Sequence, residues 1–319
     1  QVYINNKPRS VVEHVGTGRH YNINSKRGKL QLMFAQNSSE NDVYNTDIAS
    51  FYENIEFIER MHEPYVIISS GDCVYKLDFN KVLEFHIEKK ADITVVCKDM
   101  RADVDVSRFG VVRMGEDGRL TEFEEKPIMA QSNTISTGIY IIRRRQLIEI
   151  LENAAEEGRY DFVNDVLVRY KNIKKIYGYK INSYWSNIAD VDAYFSTNMD
   201  FLRPDVRSFF FKEEPTICSK VEDFPPAKYN PGADVNNSLI SSGCIINGKV
   251  KNSILFGQVF IGKNCEIINS VILDDVYIGD NTRVENCIVD SNTTLNPNTY
   301  YCGKDEIKVV SEDNDRYVI

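Results

Sequence analysis

Short apolar runs alternate with amphipathic stretches up to about residue 202. Residues 65–68 and 91–97 are rich in β-branched side chains, which predicts buried strands. Apolar residues at helical spacing predict helices over residues 46–60 and 80–90. Asp190 predicts the N-cap of a further helix, whose buried face would hold Val191, Tyr194, Phe195 and Leu202. Because strands and helices alternate, we expect a largely parallel sheet covered by helices.

A four-residue motif recurs in the last part of the chain. It reads Asn-Ser-Leu-Ile from residue 237, Asn-Ser-Ile-Leu from 252, Asn-Ser-Val-Ile from 269 and Asn-Cys-Ile-Val from 286, at intervals of 15, 17 and 17 residues. Aliphatic side chains often return every six residues between these motifs. This period predicts short parallel strands wound into a three-sided β-helix, with aliphatic residues stacked inward and small or polar residues at the corners. The repeat indicates an architecture and leaves the chemistry open.

Five prolines crowd the stretch between these two patterns. Proline lacks the backbone donor that helices and central strands use, so we predict a linker without helix over residues 203–232. The predicted organisation is then an α/β domain over 1–202, the linker over 203–232, and a β-helix with a tail over 233–319. In a parallel sheet, ligands bind beyond the carboxyl ends of the strands, so the residues that follow strands are the first candidates for a site.

Composition excludes several classes of protein. The chain has 319 residues, of which 42% are hydrophobic and 27% charged, and it contains no apolar run of the roughly 18 residues that a membrane span needs. Its net charge of −9 disfavours nucleic acid as a partner. Seven scattered cysteines without a Cys-x-x-Cys pair predict free thiols in a reducing cytoplasm. Residues 1–5 are typical of a strand and not of a signal peptide.

Positive charge gathers at the start of this acidic chain. Residues 1–30 hold six Lys or Arg side chains against the single acid Glu13. They form either a solvated rim or a site for a phosphorylated small molecule. The candidates for contact with such an effector are Lys7, Arg9, Arg19, Lys26 and Arg27.

Three segments of the first domain carry candidate chemistry. Residues 69–72, Ser-Ser-Gly-Asp, directly follow a predicted strand, where Asp72 could hold Mg²⁺ against a phosphate or simply end the strand in a turn. Residues 120–127 follow a predicted hairpin turn, and here Lys126 could neutralise a phosphate while Glu125 accepts hydroxyl protons, unless the segment is an ordinary charged strand end. Residues 184–188 contain the only tryptophan, which core packing alone would explain.

In their order and spacing, these segments resemble glucose-1-phosphate adenylyltransferase, which joins Mg-ATP and glucose 1-phosphate to give ADP-glucose and pyrophosphate. Residues 71–78, Gly-Asp-Cys-Val-Tyr-Lys-Leu-Asp, are similar to the family's Gly-Asp-His-x-Tyr-Lys-x-Asp, which implies that Asp72 is catalytic and binds the metal. Residues 122–127 are similar to the segment that grips glucose 1-phosphate, which implies that Glu125 and Lys126 bind the sugar phosphate. Residues 136–140 resemble Ser-Met-Gly-x-Tyr and residues 161–165 resemble Asp-Phe-Gly-Lys-Asp, which adds Ser136 and Asp161 to that site. The resemblance implies a Rossmann-like nucleotide-diphospho-sugar transferase domain with a mostly parallel sheet, followed by a left-handed parallel β-helix.

The chain also departs from the family pattern. Catalytic members carry Tyr-Trp-Arg-Asp-Val, whose aspartate is the second metal ligand, whereas residues 184–188 read Tyr-Trp-Ser-Asn-Ile, so that Asn187 keeps an oxygen but loses the charge. The family's Gly-Thr-Ala-Asp-Ala nucleotide loop has become Thr-Asp-Ile-Ala-Ser at residues 46–50. The Gly-Gly-x-Gly-Thr-Arg phosphate loop does not occur in the chain.

With these departures, the chain most resembles a GlgD-type companion subunit. That resemblance implies a cytoplasmic enzyme of glycogen synthesis with a catalytic GlgC-type subunit as its partner. It also implies Mg²⁺ in the active complex and a possible phosphorylated effector. The alternatives are a fully catalytic glucose-1-phosphate adenylyltransferase, in which Asp72 alone suffices, and a non-catalytic scaffold or sugar-nucleotide-binding protein. A hexapeptide acyltransferase is disfavoured, since such β-helices usually use a histidine and none follows His86.

Overall fold

A computed structural model describes residues 1–4, 8–21, 23, 28–34, 47–159, 161–220, 222–304 and 306–311. The chain divides into two compact units. The first comprises Gln1–Gly71, Lys76–Trp185 and Cys218–Lys220, and the second comprises Asp72–Tyr75, Ser186–Ile217 and Val221–Ile319. The boundaries predicted at residues 202 and 233 stay a prediction, because compactness groups segments in space without showing which of them fold independently.

The strands of the first unit are β1 (Val2–Ile4), β2 (Leu32–Phe34), β3 (Tyr65–Ser69), β5 (Ile93–Asp99), β6 (Gly110–Met114), β7 (Leu120–Glu125), β8 (Thr134–Arg143) and β9 (Ile176–Ile181), while β4 (Cys73–Tyr75) belongs to the second unit. β1 and β2 pair in parallel. The larger sheet has the order β7-β6-β8-β5-β9, with β3 also paired to β8. The predicted strands at 65–68 and 91–97 are confirmed as β3 and β5.

One long strand organises this sheet. β5 and β9 are parallel, whereas β8 runs antiparallel to β3, β5 and β6. Strands β3, β5 and β9 therefore share one direction, as an alternating strand–helix chain predicts, and β8 is inserted against them. The predicted hairpin is confirmed, since β6 and β7 pair antiparallel around Gly118, whose φ is +84°.

The helices of this unit are α1 (Pro8–Val15), α2 (Asp47–Glu53), α3 (Ile55–Glu59), α4 (Phe79–Glu88) and α5 (Arg144–Glu156), with a 3₁₀ turn at Arg19–Tyr21 and a π-helical segment at Val163–Val168. The helix predicted over residues 80–90 corresponds to α4, capped by Asp78, whose side chain accepts a hydrogen bond from the Asn80 amide. The single helix predicted over residues 46–60 is wrong. It breaks at Asn54, whose side-chain amide instead donates to the Ser50 carbonyl at 2.9 Å.

The core of the first unit lies between the sheet and its helices. Ile93, Ile142 and Leu151 are fully buried there, on β5, β8 and α5. Their burial removes apolar surface from water, which is the dominant favourable contribution to folding.

The second unit is dominated by a parallel β-helix. Its strands are β10 (Trp185–Asn187, which pairs with β4 and begins in the first unit), β11 (Lys228–Tyr229), β12 (Asp234–Asn236), β13 (Leu239–Ile240), β14 (Ile245–Ile246), β15 (Lys249–Lys251), β16 (Ile254–Leu255), β17 (Phe260–Ile261), β18 (Glu266–Ile268), β19 (Val271–Ile272), β20 (Tyr277–Ile278), β21 (Arg283–Glu285), β22 (Cys287–Val289), β23 (Thr294–Leu295), β24 (Tyr300–Cys302) and β25 (Lys308–Val310). From β11 onward every third strand joins the same sheet, which gives three sheets of five parallel strands. The predicted three-sided coil is confirmed.

Register and corner residues explain the repeat. Ile246, Ile261, Ile278 and Leu295 stack inward along one sheet, each of them fully buried. The asparagines that open the repeated motif have positive φ, and their side chains bond along the coil, as in Asn237 Nδ2 to Asn252 Oδ1 at 2.8 Å. Asparagine tolerates this left-handed conformation better than other residues with a side chain, which explains its recurrence.

Two helices complete the second unit, namely α6 (Val191–Asp200) and α7 (Pro204–Phe211). Asp190 caps α6 as predicted, with its carboxylate accepting from the Ala193 amide at 2.8 Å. Val191 was predicted to be buried but is 44% exposed, because it occupies the first turn, outside the apolar face. The prediction that residues 203–232 contain no helix is also wrong, because α7 lies there. Pro204 occupies the first turn of α7, where its missing backbone donor costs nothing.

The buried face of α6 packs on the β-helix. Phe195 forms a buried cluster with Val271 and Ile288, and Phe256 packs against that cluster. Phe256 and Phe260 are both half-buried. Phe260 stacks on Tyr277 with ring centroids 4.8 Å apart. None of the described helices has the length and apolar character needed to cross a bilayer.

Candidate functional site

The end of the β6–β7 hairpin presents Glu125 and Lys126. Glu125 closes β7 with a side chain that is 22% exposed, and Lys126 follows with a φ of +46°. The Lys126 amide donates to the Phe109 carbonyl at 3.1 Å, which holds this left-handed residue at the strand end. Its ammonium Nζ lies 3.8 Å from Oε1 of Glu125. An acceptor for hydroxyl groups and a cation for phosphate therefore stand side by side.

Burial raises the pKa of the Glu125 carboxyl, the Lys126 ammonium lowers it, and the negative charge of Asp161 raises it further. A half-buried carboxylate gains from hydroxyl donors, which are the groups that a sugar offers.

Gly110 is a site residue that the sequence analysis missed. It pairs with Glu125 in the β6–β7 ladder. A Cβ at this position would lie 2.9 Å from Oε2 of Glu125 and 2.8 Å from the ring of Phe123. The missing side chain therefore leaves the space in which the Glu125 carboxylate sits. The available signal was a glycine inside an apolar strand pattern, which marks the close approach of another group.

Ser136 lies on β8, opposite Cys97 of β5. It is 7% exposed, and its Oγ lies 3.3 Å from the hydroxyl oxygen of Tyr140. Two residues later Gly138 adopts a φ of +76° and accepts a hydrogen bond from the amide of Ser70, at the end of β3. The structure thus joins Ser136 to the segment that follows β3.

Asp161 stands at the start of the helical turn that leads into the π-helical segment. Its carboxylate accepts from the backbone amide of Asn164 at 2.9 Å and from the Asn164 side chain at 2.8 Å. The Asp165 carboxylate accepts from the Asp161 amide at 3.0 Å, which completes a reciprocal cap. Asp161 is exposed and its carboxylate has lone pairs beyond these two bonds, so a sugar hydroxyl remains compatible with it.

In the second unit, Asp72 and Asn187 face each other across the β4–β10 pair. Asn187 Nδ2 donates to Asp72 Oδ2 at 2.9 Å. The Ile188 amide donates to the Asp72 carbonyl at 2.8 Å, and the Cys73 thiol lies 3.4 Å from Asp72 Oδ1. The two residues that the family resemblance assigns to the metal are therefore in direct contact.

The orientation of the Asn187 amide follows from its second partner. The backbone N–H of Ala189, which can only donate, lies 3.2 Å from Asn187 Oδ1. The oxygen is therefore turned to Ala189, and the NH₂ group is turned to Asp72. Mg²⁺ takes oxygen ligands, and an NH₂ group cannot supply one. The pair as it stands does not fit a cation shared by its two side chains, and no group of three or more His, Cys, Asp or Glu in the described part of the chain is arranged to hold a metal.

The remaining candidates belong to α1, α2 and the 3₁₀ turn, or lie outside the described residues. Residues 47–50, which correspond to the nucleotide loop, form the first turn of α2, and Ile48 is 1% exposed, while Thr46 lies outside the described residues. Arg9 is exposed and pairs with Glu13 at 3.0 Å. Arg19 is exposed in the 3₁₀ turn. The other effector candidates, Lys7, Lys26 and Arg27, lie outside the described residues.

Comparison with known proteins finds a family match for each of the two parts of the chain. A nucleotidyl transferase model matches residues 2–203, and a model of the GlmU-like C-terminal hexapeptide region matches residues 225–318. Similar proteins include glucose-1-phosphate adenylyltransferases from Pseudothermotoga lettingae, 32% identical over 82% of the chain, and from Clostridium beijerinckii, 35% identical over 81%. The enzyme of that name from Bacillus subtilis is 32% identical over 82% of the chain.

The aligned part of the chain spans 63% of the Pseudothermotoga protein, 68% of the Clostridium protein and 70% of the Bacillus protein. The chain belongs to the glucose-1-phosphate adenylyltransferase family of nucleotidyl transferases.

Proposed function

We propose that this chain is a regulatory or weakly active subunit of a glucose-1-phosphate adenylyltransferase. In that reaction a phosphate oxygen of glucose 1-phosphate attacks the α-phosphorus of ATP, and the bond to pyrophosphate breaks. The observation that carries the proposal is the contact of Asn187 Nδ2 with Asp72 Oδ2 at 2.9 Å. It puts a hydrogen-bond donor where the family pattern puts a second negatively charged metal ligand.

The sugar-phosphate cluster, defined as Glu125, Lys126, Ser136 and Asp161, supports a retained ligand site. Lys126 is 67% exposed and available to a phosphate as a point charge. The partly buried carboxylate of Glu125 and the hydroxyl of Ser136 suit neutral hydroxyl groups. We propose that this chain binds glucose 1-phosphate here, and that it contributes this binding rather than rapid turnover to an assembly.

Phosphoryl-type transfer depends on groups that neutralise charge in the transition state. Under this proposal, Mg²⁺ belongs to the active site of a catalytic GlgC-type partner. The basic segment of residues 1–30, including Arg9 and Arg19, is the proposed contact for a phosphorylated effector.

The test is ADP-glucose synthesis by the intact protein alone and mixed with a GlgC-type subunit. We expect the isolated protein to turn over at least about a hundredfold more slowly than the catalytic subunit, the size of effect that loss of one charge-stabilising group produces. We expect the mixture to differ from the catalytic subunit alone in turnover or in its response to phosphorylated effectors.

The control is the catalytic subunit at the same concentration without this chain. Turnover of the isolated protein at the rate of the catalytic subunit would overturn the proposal in favour of a competent enzyme. A slow isolated protein that leaves the catalytic subunit unchanged would also contradict it and favour a scaffold.

A further inference from the structure

Two buried hydroxyl groups of β8 meet although they are four residues apart. In a regular strand such residues lie on the same face, with their Cα atoms about 13 Å apart. Here Ser136 Oγ and Tyr140 Oη are 3.3 Å apart, within hydrogen-bond distance, and the two residues are 7% and 6% exposed. Some local feature of the strand must shorten the path between them.

That feature is a bulge against β5. The ladder pairs Tyr140 with Val95 and Ser136 with Cys97, so that three residues of β8 stand opposite the single residue Val96. The Thr137 hydroxyl donates to the Val96 carbonyl at 2.9 Å, which gives this carbonyl a partner where the ladder is interrupted. Bulges redirect side chains next to functional sites, and this one turns Ser136 toward Tyr140.

The other edge of the bulge is held by the segment after β3. The Ser70 amide donates to the Gly138 carbonyl at 3.0 Å. Gly138 has a φ of +76°, and a Cβ there would lie 3.2 Å from Cβ of Ser70. The bulge therefore has partners on both sides, and its shape does not depend on the Ser136–Tyr140 contact alone.

Tyr140 also packs against the residue that follows Asp161, a second member of the sugar-phosphate cluster. Its ring centroid lies 5.3 Å from that of Phe162, which is 3% exposed and directly follows Asp161. One residue thus contacts Ser136 through its hydroxyl and the start of the Asp161 turn through its ring. Burial of both rings restricts their motion, which gives each contact a defined geometry.

We propose that Tyr140 is a positioning residue of the sugar-phosphate cluster, which orients the Ser136 hydroxyl and couples it to the turn that carries Asp161. This inference rests on the proposed binding of glucose 1-phosphate by that cluster. Tyr140 itself does not need to touch the ligand. Its hydroxyl holds Ser136 Oγ in one rotamer, so that less rotational freedom is lost when a sugar hydroxyl binds.

The experiment is calorimetric titration of the intact protein with glucose 1-phosphate. Tyr140→Phe keeps the ring that packs on Phe162 and removes only the hydroxyl. We expect it to raise the Kd for glucose 1-phosphate about three- to tenfold, the effect of one lost hydrogen bond. Tyr229→Phe, which removes a hydroxyl from the 54% exposed tyrosine of β11, is the matched control and should leave the Kd unchanged.

A double-mutant cycle distinguishes positioning from general stability. In a Ser136→Ala background, Tyr140→Phe should no longer change the Kd, because the hydroxyl that it orients is gone. An unchanged Kd in the single variant, or an equal loss in both backgrounds, would overturn the inference. Absence of measurable binding by the wild-type protein would instead overturn the proposed function, so the two failures are distinct.

Discussion

At the scale of single residues, the main finding is the direct contact between Asn187 and Asp72, the two residues that the family resemblance assigns to the metal. Two carboxylates at positions 72 and 187 would repel each other without a cation or a proton between them. Asparagine removes that repulsion, and its NH₂ group binds Asp72 directly at 2.9 Å. The sequence predicted the loss of charge at Asn187. It could not predict which end of the amide faces Asp72, because that depends on the Ala189 amide, a backbone group whose position only the structure shows.

A second residue-scale feature, the buried His86, makes stability depend on pH. His86 is 1% exposed, and its Nδ1 lies 2.8 Å from the Thr94 hydroxyl. Burial, with a smaller contribution from Arg143, lowers the pKa of His86 to about 4 from its ordinary 6.5, although Asp92 opposes the shift. Between these two pKa values the unfolded chain binds a proton at this residue that the folded chain does not bind.

The free energy of unfolding is therefore expected to fall as pH decreases from 7 to 5, with His86 contributing about 2 kcal/mol of that decrease. Urea denaturation at the two pH values, monitored by the fluorescence of Trp185, measures it. His86→Gln should reduce the decrease by about that amount, whereas His62→Gln, at an exposed histidine, should not. Equal pH dependence in wild type and His86→Gln would show that His86 does not carry the effect.

At the scale of elements, the β-helix was the structure most directly predicted from the sequence, because the repeat indicates it. Parallel pairing holds successive coils close together, and glycines stand at points where two coils touch. A Cβ on Gly248 would lie 2.6 Å from the carbonyl oxygen of Cys265 in the next coil, and one on Gly262 would lie 2.7 Å from the Asp280 amide nitrogen. Because the crowding atoms belong to the backbone, they cannot move without displacing the coil.

Gly248→Ala is thus expected to destabilise the β-helix by about 2 kcal/mol. Hydrogen exchange followed by mass spectrometry measures this locally, and peptides covering residues 245–268 should exchange faster in the variant. Gly71→Ala is the control, since no heavy atom lies within 4 Å of a Cβ at that position. Unchanged protection of these peptides in Gly248→Ala would mean that the coils are less tightly stacked than the structure shows.

Elements outside the repeat were harder to predict, for reasons visible in particular residues. The apolar spacing over residues 46–60 is helical throughout, yet the helix breaks at Asn54, where a side-chain bond competes with the backbone. The prolines of residues 203–232 suggested no helix, but Pro204 lies in a first turn and permits one. The bulge of β8 needed partners from β3 and β5, and local sequence carries no information about either.

At the scale of the whole molecule, a nucleotidyl transferase unit and a β-helix were both predictable, the first from strand–helix alternation and resemblance and the second from periodicity alone. The chemistry of the sugar-phosphate cluster came from resemblance. Its supporting residues, Gly110 and Tyr140, became visible only in three dimensions. We propose that this family member binds a sugar phosphate at that cluster and has an amide, Asn187, where the family pattern has a metal ligand.

The most direct test of that account is Mn²⁺ binding by the intact protein, followed by electron paramagnetic resonance of the free ion. Asn187→Asp restores a second carboxylate and is expected to bind Mn²⁺ at least about tenfold more tightly than wild type. The further change Asp72→Asn should abolish this gain, while Asp72→Asn alone should leave wild-type binding unchanged. Tight binding of Mn²⁺ by the wild-type protein that is lost in Asp72→Asn would contradict the account, because it would show that Asp72 holds a cation despite the amide of Asn187.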